Sequence, residues 1–243
     1  MGLMWILSAW GLAGVGDLAA TFRHRAELEF EATRGRWLAD TNSLVAAWGF
    51  GRAAYDLADF ATNKAERELI AVQGVAACRR AVSLDPASAP AHYYLALNLG
   101  QLARVYLLKG LGIVSEMEEV FLTARKLDPL FDYAGSDRAL GLLYHRAPGW
   151  PISLGSQAKA SRHLNEAVRL RPDYPGNRLA LAEFLWETRQ ARRFAQEWER
   201  LQELIPRVQE EFEGPDWELS WVEWNRRVAR LRPHAESLPD RDP

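Results

Sequence analysis

The chain has 243 residues, 48% of them apolar and 26% charged, enough apolar material for a sizeable core and too much for a disordered chain. A net charge of −2 and a pI near 6.2 leave no basic footprint for nucleic acid. Cys78 is the single cysteine, which excludes an intrachain disulfide, a CxxC motif and a cysteine-cluster zinc site.

The chain opens on an uncharged apolar run, Leu3 to Gly16. It falls short of the roughly 20 residues of a membrane span but matches a signal-peptide core, with small residues at Gly14, Gly16, Ala19 and Ala20 for a peptidase. No Lys or Arg precedes the run, and no cysteine follows it to carry a lipid anchor. Residues 1–20 therefore read either as a signal peptide or as a first apolar helix. The charged stretch from Arg23 to Trp37 then reads as a helix that covers the front of the fold.

Four later segments end alike: RRAVSLDP at Arg79–Pro86, LTARKLDP at Leu122–Pro129, NEAVRLRP at Asn165–Pro172 and ERLQELIP at Glu199–Pro206. The prolines are separated by 43, 43 and 34 residues, a spacing that signals stacked supersecondary units. Each segment reads as the end of an amphipathic helix that proline forbids to continue. A second helical stretch precedes each one, with apolar residues at three-to-four spacing such as Leu95, Leu99, Leu102 and Tyr106. No convincing strand alternation interrupts them. The spacing predicts an all-α protein made of helix pairs, with units over about 42–86, 87–129, 130–172 and 173–206. Residues 207–235 would cap the end, and all of 21–243 would form one domain.

These residues resemble tetratricopeptide (TPR) repeats, whose pattern runs W-x2-L-G-x2-Y, A-x3-F, then proline over 34 residues. The third unit matches best, with Leu140, Gly141, Tyr144, Ala160, Leu164, Ala167 and Pro172. The first supplies Trp48, Tyr55, Gly74, Cys78, Ala81 and Pro86, and the fourth is the loosest. The resemblance implies a right-handed α–α superhelix of TPR-like pairs, with elongated units and capping helices at both ends. The extra length falls around ADFATNKAERE, LLKGLGIVSEMEE and APGWPISLG. In the first of these, Thr62 or Asn63 would cap a helix with Glu66 close by.

The segment from Leu127 to Leu185 is similar, more narrowly, to the T-component proteins of TRAP transporters (TatT). The likeness rests on Asp137, Arg138, Gly141, Tyr144, Ala147, Pro148, Gly149, Pro151, Ser153, Gly155 and Lys159, followed by Pro172, Asp173, Tyr174, Asn177, Ala182 and Glu183. It covers about a quarter of the chain; Trp48 to Gly100 joins only through the repeat pattern. The resemblance implies an exported, periplasmic accessory of solute uptake that engages a solute-binding protein, a small organic ligand, or both. A general interaction scaffold with no solute role, in the cytoplasm or elsewhere, is the competing expectation.

The candidate ligand or partner surface comprises Asp137, Arg138, Tyr144, Pro148, Trp150 and Pro151. In the loop APGWPISLG, two prolines stiffen the backbone and Gly149 and Gly155 allow positive φ. Trp150 either folds back as a plug over the helix pair or lines a binding surface with Arg138 and Tyr144. Asp137, Arg138 and Asp173 read as an ion-paired network between units, whereas Arg138 facing a concave groove would clamp a carboxylate. Near the C-terminus, Trp217, Trp221 and Trp224 share one helix face with Arg226, Arg227 and Arg230 opposite, behind Asp216 as N-cap. This reads as the terminal cap. The five histidines form no HExxH or ExxH, Gly49-Phe50-Gly51 is too short for a phosphate loop, and Cys78 sits at a packing position. No catalytic residue, cofactor or metal site is expected, and no nucleic-acid partner or stable membrane span; a homo-oligomer is compatible with the sequence.

Overall fold

The computed structural model describes residues 13–106, 110–149 and 152–237. Among them the only regular elements are α-helices, plus one isolated bridge between Gly149 and Gly155. The all-helical expectation is met. Most of the run from Leu3 to Gly16 lies outside the described residues, as do Trp150 and Pro151. No described helix is long and apolar enough to cross a membrane.

Contacts divide the chain into two compact units, Met1–Asp128 and Pro129–Pro243. The first contains α1 (Ala13–Ala39), α2 (Leu44–Asp59), α3 (Lys64–Leu84), α4 (Ala89–Val105) and α5 (Gly110–Leu127). Helices α2 and α3 pack as a pair, α4 and α5 as another, and α4 also packs on both α2 and α3. The charged helix α1 covers the front of this stack. Its Phe30 lies 5.0 Å from the ring of Phe50, and Trp37 stacks on that ring at 5.2 Å. Phe50 is fully buried, which alone is worth about 2–3 kcal/mol of apolar transfer.

Small residues set how closely these helices approach. A Cβ on Gly74 would stand 2.1 Å from Asn98 Oδ1 and 2.8 Å from Ala54 Cβ, so α3 can cross α2 and α4 only with glycine there. Asn98 has no solvent exposure, and its Nδ2 donates to Gly51 O and Tyr94 O, both at 2.8 Å. One side-chain amide thus pins α4 to α2 at the same crossing. Cys78 lies beside Gly51, and burial pushes its thiol well above the ordinary range, so it is packing material.

The elongation of the first pair lies in its helices. Its inner turn is only Phe60 to Asn63, while α3 runs for 21 residues. Asn63 caps α3 by accepting from Glu66 N at 2.9 Å, and Glu66 accepts in turn from Thr62 N at 2.8 Å. The expected cap is therefore present, with the glutamate returning the bond.

The second unit contains α6 (Phe131–Arg146), α7 (Gln157–Leu170), α8 (Pro175–Glu187), α9 (Ala191–Arg207) and α10 (Glu218–Glu236). Helices α6 and α7 pair, α8 and α9 pair, and α8 lies against both α6 and α10. A Cβ on Gly141 would come within 2.5 Å of Leu164 Cγ, which explains why the α6–α7 pair needs glycine at that step. Pro86, Pro129 and Pro172 each follow the end of the second helix of a pair, as expected. Pro206 differs, because it sits inside α9, which ends at Arg207. The C-terminal tryptophans pack onto unit 2. Trp224 is buried against Tyr174 at 5.5 Å and Phe212 at 5.7 Å, and the indole of Trp221 donates to Phe212 O at 2.6 Å. Its helix begins after Trp217, so Asp216 is not the N-cap residue.

Gly74→Ala should cost roughly 2–3 kcal/mol through overpacking, whereas Gly49→Ala, where nothing stands within 4 Å of the new Cβ, should be neutral or stabilise by up to ~1 kcal/mol. Denaturant titration of both variants checks this; equal effects would contradict the crossing.

Candidate functional site

Unit 2 carries the motif residues singled out above, and Asp137, Gly141, Tyr144, Asn177, Ala182 and Glu183 among them are buried. At the start of α6, Asp132, Tyr133 and Ala134 take positive φ of 50°, 55° and 60° in succession. Left-handed backbone costs a non-glycine residue about 1–2 kcal/mol, so the surroundings must hold this turn. Arg138 does so from one side. Its Nη2 pairs with Asp132 Oδ2 at 2.7 Å, and its Nη1 faces Asp132 O and Tyr133 O at 3.3 Å each and Asn177 Oδ1 at 2.9 Å.

Asn177 completes the clasp from α8. Its Nδ2 faces Tyr133 O at 2.9 Å, Ala167 O at 3.0 Å and Arg171 O at 3.3 Å, and the residue is fully buried. It thereby ties the left-handed turn, the end of α7 and the start of α8 together. Tyr133 and Tyr174 stack at 4.6 Å, with Arg171 over the first ring at 5.2 Å and Arg138 over the second at 5.1 Å. A guanidinium closes each side of the aromatic pair. Burial pushes the Tyr174 phenol upward, so it stays neutral.

Asp137 and Tyr144, expected on a binding surface, are buried instead. Asp137 has no exposure and meets His163 Nδ1 at 2.6 Å, while the His163 ring lies 5.5 Å from Tyr144. Lys159 Nζ sits 4.7 Å from the centre of the Tyr144 ring. The expected Asp137–Arg138–Asp173 network takes another form: Asp137 pairs with histidine, Arg138 with Asp132, and Asp173 is exposed on the turn. Arg138 braces backbone between the third and fourth helix pairs, which leaves it badly placed to clamp a ligand carboxylate.

The loop after α6 is closed by its own backbone. Gly155 N donates to Pro148 O at 2.9 Å, Ser156 N to Tyr144 O at 2.9 Å, and Ile152 N to Gly149 O at 3.1 Å. Among the described glycines, positive φ occurs only at Gly214, so Gly149 and Gly155 are not there for left-handed backbone. The reason for Gly155 is steric: a Cβ would lie 2.1 Å from Ala147 O. The loop offers Pro148 and Ile152 to solvent, Ile152 at 65% exposure.

A second polar cluster joins α6, α8 and α10, and the sequence reading missed it. Glu183 on α8 is buried and receives a two-pronged contact from Arg227, Nε to Oε1 at 2.9 Å and Nη2 to Oε2 at 2.8 Å. Arg230 also donates to Glu183 Oε1. Burial would raise the Glu183 carboxyl, but Arg227, Arg230 and Arg146 outweigh it and hold the group below its usual range. Arg227, expected on an exposed face opposite the tryptophans, is therefore turned inward. Beside it, His145 Nε2 meets Glu187 Oε2 at 2.6 Å and Nδ1 meets Gln157 Oε1 at 3.1 Å. The bond to Glu187 raises the His145 pKa. Among the described residues no group of three or more His, Cys, Asp or Glu is placed to hold a metal ion.

No family model matches the chain, and no curated protein does. A solved structure does: the thermophilic TPR protein TTC0263 of Thermus thermophilus superposes with a TM-score of 0.63 at 17% identity, over 88% of this chain and 96% of that one. At that identity the likeness establishes the fold, an α–α superhelix of TPR-like helix pairs, and nothing of the chemistry.

Asn177→Ala should destabilise unit 2 by roughly 2–4 kcal/mol, since it orphans buried carbonyls and releases the strained turn; a loss below about 1 kcal/mol in denaturant titration would contradict the clasp. The pH dependence has a defined sign. His145, raised in the fold, stabilises fully below about pH 6.5 and loses that contribution as pH rises through its folded pKa. Glu183, depressed in the fold, stabilises above its unfolded value near 4.3 and loses it in acid. The melting-temperature gap between wild type and His145→Gln should therefore shrink on going from about pH 5.5 to 8. A constant gap would refute the Glu187 bond.

Proposed function

We propose that the chain is a non-catalytic protein-binding scaffold, and that its partner is a solute-binding protein of a TRAP-type uptake system. The first part is supported by the architecture: stacked helix pairs leave long solvent-facing surfaces on rigid supports, which suits them to protein partners. The second part rests on the T-component-like motif, whose Arg138, Tyr174 and Asn177 interlock in unit 2 and whose Glu183 anchors a second polar cluster there. A motif that specifies how a surface is supported implies a surface worth supporting. The same reading entails export of the chain to the compartment where such binding proteins work.

Catalysis is not part of this reading. Among the described residues, the buried Asp137–His163 pair lacks a nucleophile bonded to it, because Ser136 Oγ and His163 Nε2 each lack a hydrogen-bond partner. The thiol of Cys78 is buried and held protonated.

Purified chain mixed with a TRAP solute-binding protein from the same source should co-elute as a complex in size-exclusion chromatography. Deletion of the gene should reduce organic-acid uptake. Normal uptake after deletion, together with stable complexes only with unrelated proteins, would replace the transport role by a general scaffold.

A further inference from the structure

We infer that His145 is a proton-operated joint between the third and fourth helix pairs, closed when its ring is an imidazolium and loosened when the ring is neutral. This goes beyond the binding reading above and does not depend on which partner is bound. It starts from where three helices end. His145 lies in the last turn of α6, Gln157 is the first residue of α7, and Glu187 is the last of α8. The ring links all three, with Nε2 meeting Glu187 Oε2 at 2.6 Å and Nδ1 meeting Gln157 Oε1 at 3.1 Å. Phe184, also on α8, packs edge-on against it at 5.1 Å and fixes its plane.

Both ring nitrogens therefore face acceptor oxygens. A neutral imidazole has one N–H and serves one of them, whereas the imidazolium has two and serves both. With a neutral ring the second link survives only if the Gln157 amide turns over to donate. The ring also stands at the C-terminal ends of α6 and α8, where the aligned peptide dipoles favour a cation. The charged neighbours divide by element. Glu187 on α8 favours the proton, and Arg146, next on α6, opposes it. On α7, Lys159 lies over the Tyr144 ring; on α10, Arg227 and Arg230 engage Glu183, and His234 stacks on Trp186. The bond to Glu187 outweighs burial, so the His145 pKa stands above its ordinary value. The joint is thus closed in mild acid and loosens as pH rises through that folded value. It couples one helix pair to the next, and in stacked pairs that coupling governs how rigidly the outer surface is held.

The test combines imidazole titration by NMR with hydrogen exchange on the full chain. The ring C–H resonance that disappears in His145→Gln should titrate in wild type with a midpoint above about 6.5, and fall back toward that value in Glu187→Gln. In Gln157→Glu, whose carboxylate cannot turn over to donate, the midpoint should rise further. Hydrogen exchange, corrected for intrinsic rates, is compared at about pH 5.5 and 8. Peptides covering 156–164 and 183–190 should lose protection roughly two- to fivefold at the higher pH in wild type. In His145→Gln, which cannot titrate, that pH-dependent loss should vanish. A wild-type midpoint at or below about 6.5, or one unmoved by Glu187→Gln or Gln157→Glu, would overturn the joint. So would the same pH-dependent exchange in wild type and His145→Gln. No partner enters these measurements, so their failure is distinct from failure of the binding reading.

Discussion

A polar group withdrawn from water must find another partner, and in unit 2 that requirement fixes almost every feature-bearing side chain. The left-handed turn at Asp132–Ala134 turns carbonyls inward where no helix ladder can receive them. Arg138 and Asn177 take those carbonyls, and in doing so connect α6, α7 and α8. Once Asn177 is placed, Tyr174 is positioned to stack on Tyr133, and the C-terminal aromatics close over both. The strain of the turn and the buried amide that holds it are two parts of one device.

Unit 1 meets the same requirement in a different way. There the crossing of α2, α3 and α4 is set by the missing side chain of Gly74, and Asn98 reaches across to a backbone carbonyl of α2. Glycine gives close approach, and a single amide gives register. In both units these amides spend their polar atoms on the backbone of neighbouring helices and turns.

The fold was readable from the chain because its determinants are local and periodic. The prolines at 86, 129 and 172 mark the ends of second helices, and small residues at Gly74, Gly141 and Ala160 fall where helices touch. Asn63 and Glu66 announce their cap within four residues. The candidate site was much less readable. Arg138, Asp137 and Tyr144 were recognisable as special, but whether a polar residue faces solvent or a carbonyl depends on partners 26 to 44 positions away. The Glu183–Arg227–Arg230 cluster was hidden for the same reason: α10 reads as an amphipathic cap, and nothing within it announces a buried glutamate on α8. Gly155 was noticed for the wrong property, since a packing clash with Ala147 O, and not the sign of φ, excludes a side chain there.

The clasp on the left-handed turn holds unit 2 in register, and native-state hydrogen exchange read by mass spectrometry tests it most directly. In the Asn177→Ala chain, amides of Phe131–Arg146 and Pro175–Glu187 should lose protection together, by a common factor, because one side chain serves both helices. Protection in Phe131–Arg146 that stays at the wild-type level would show that the turn holds itself, and that Arg138 and Asn177 are available for other work.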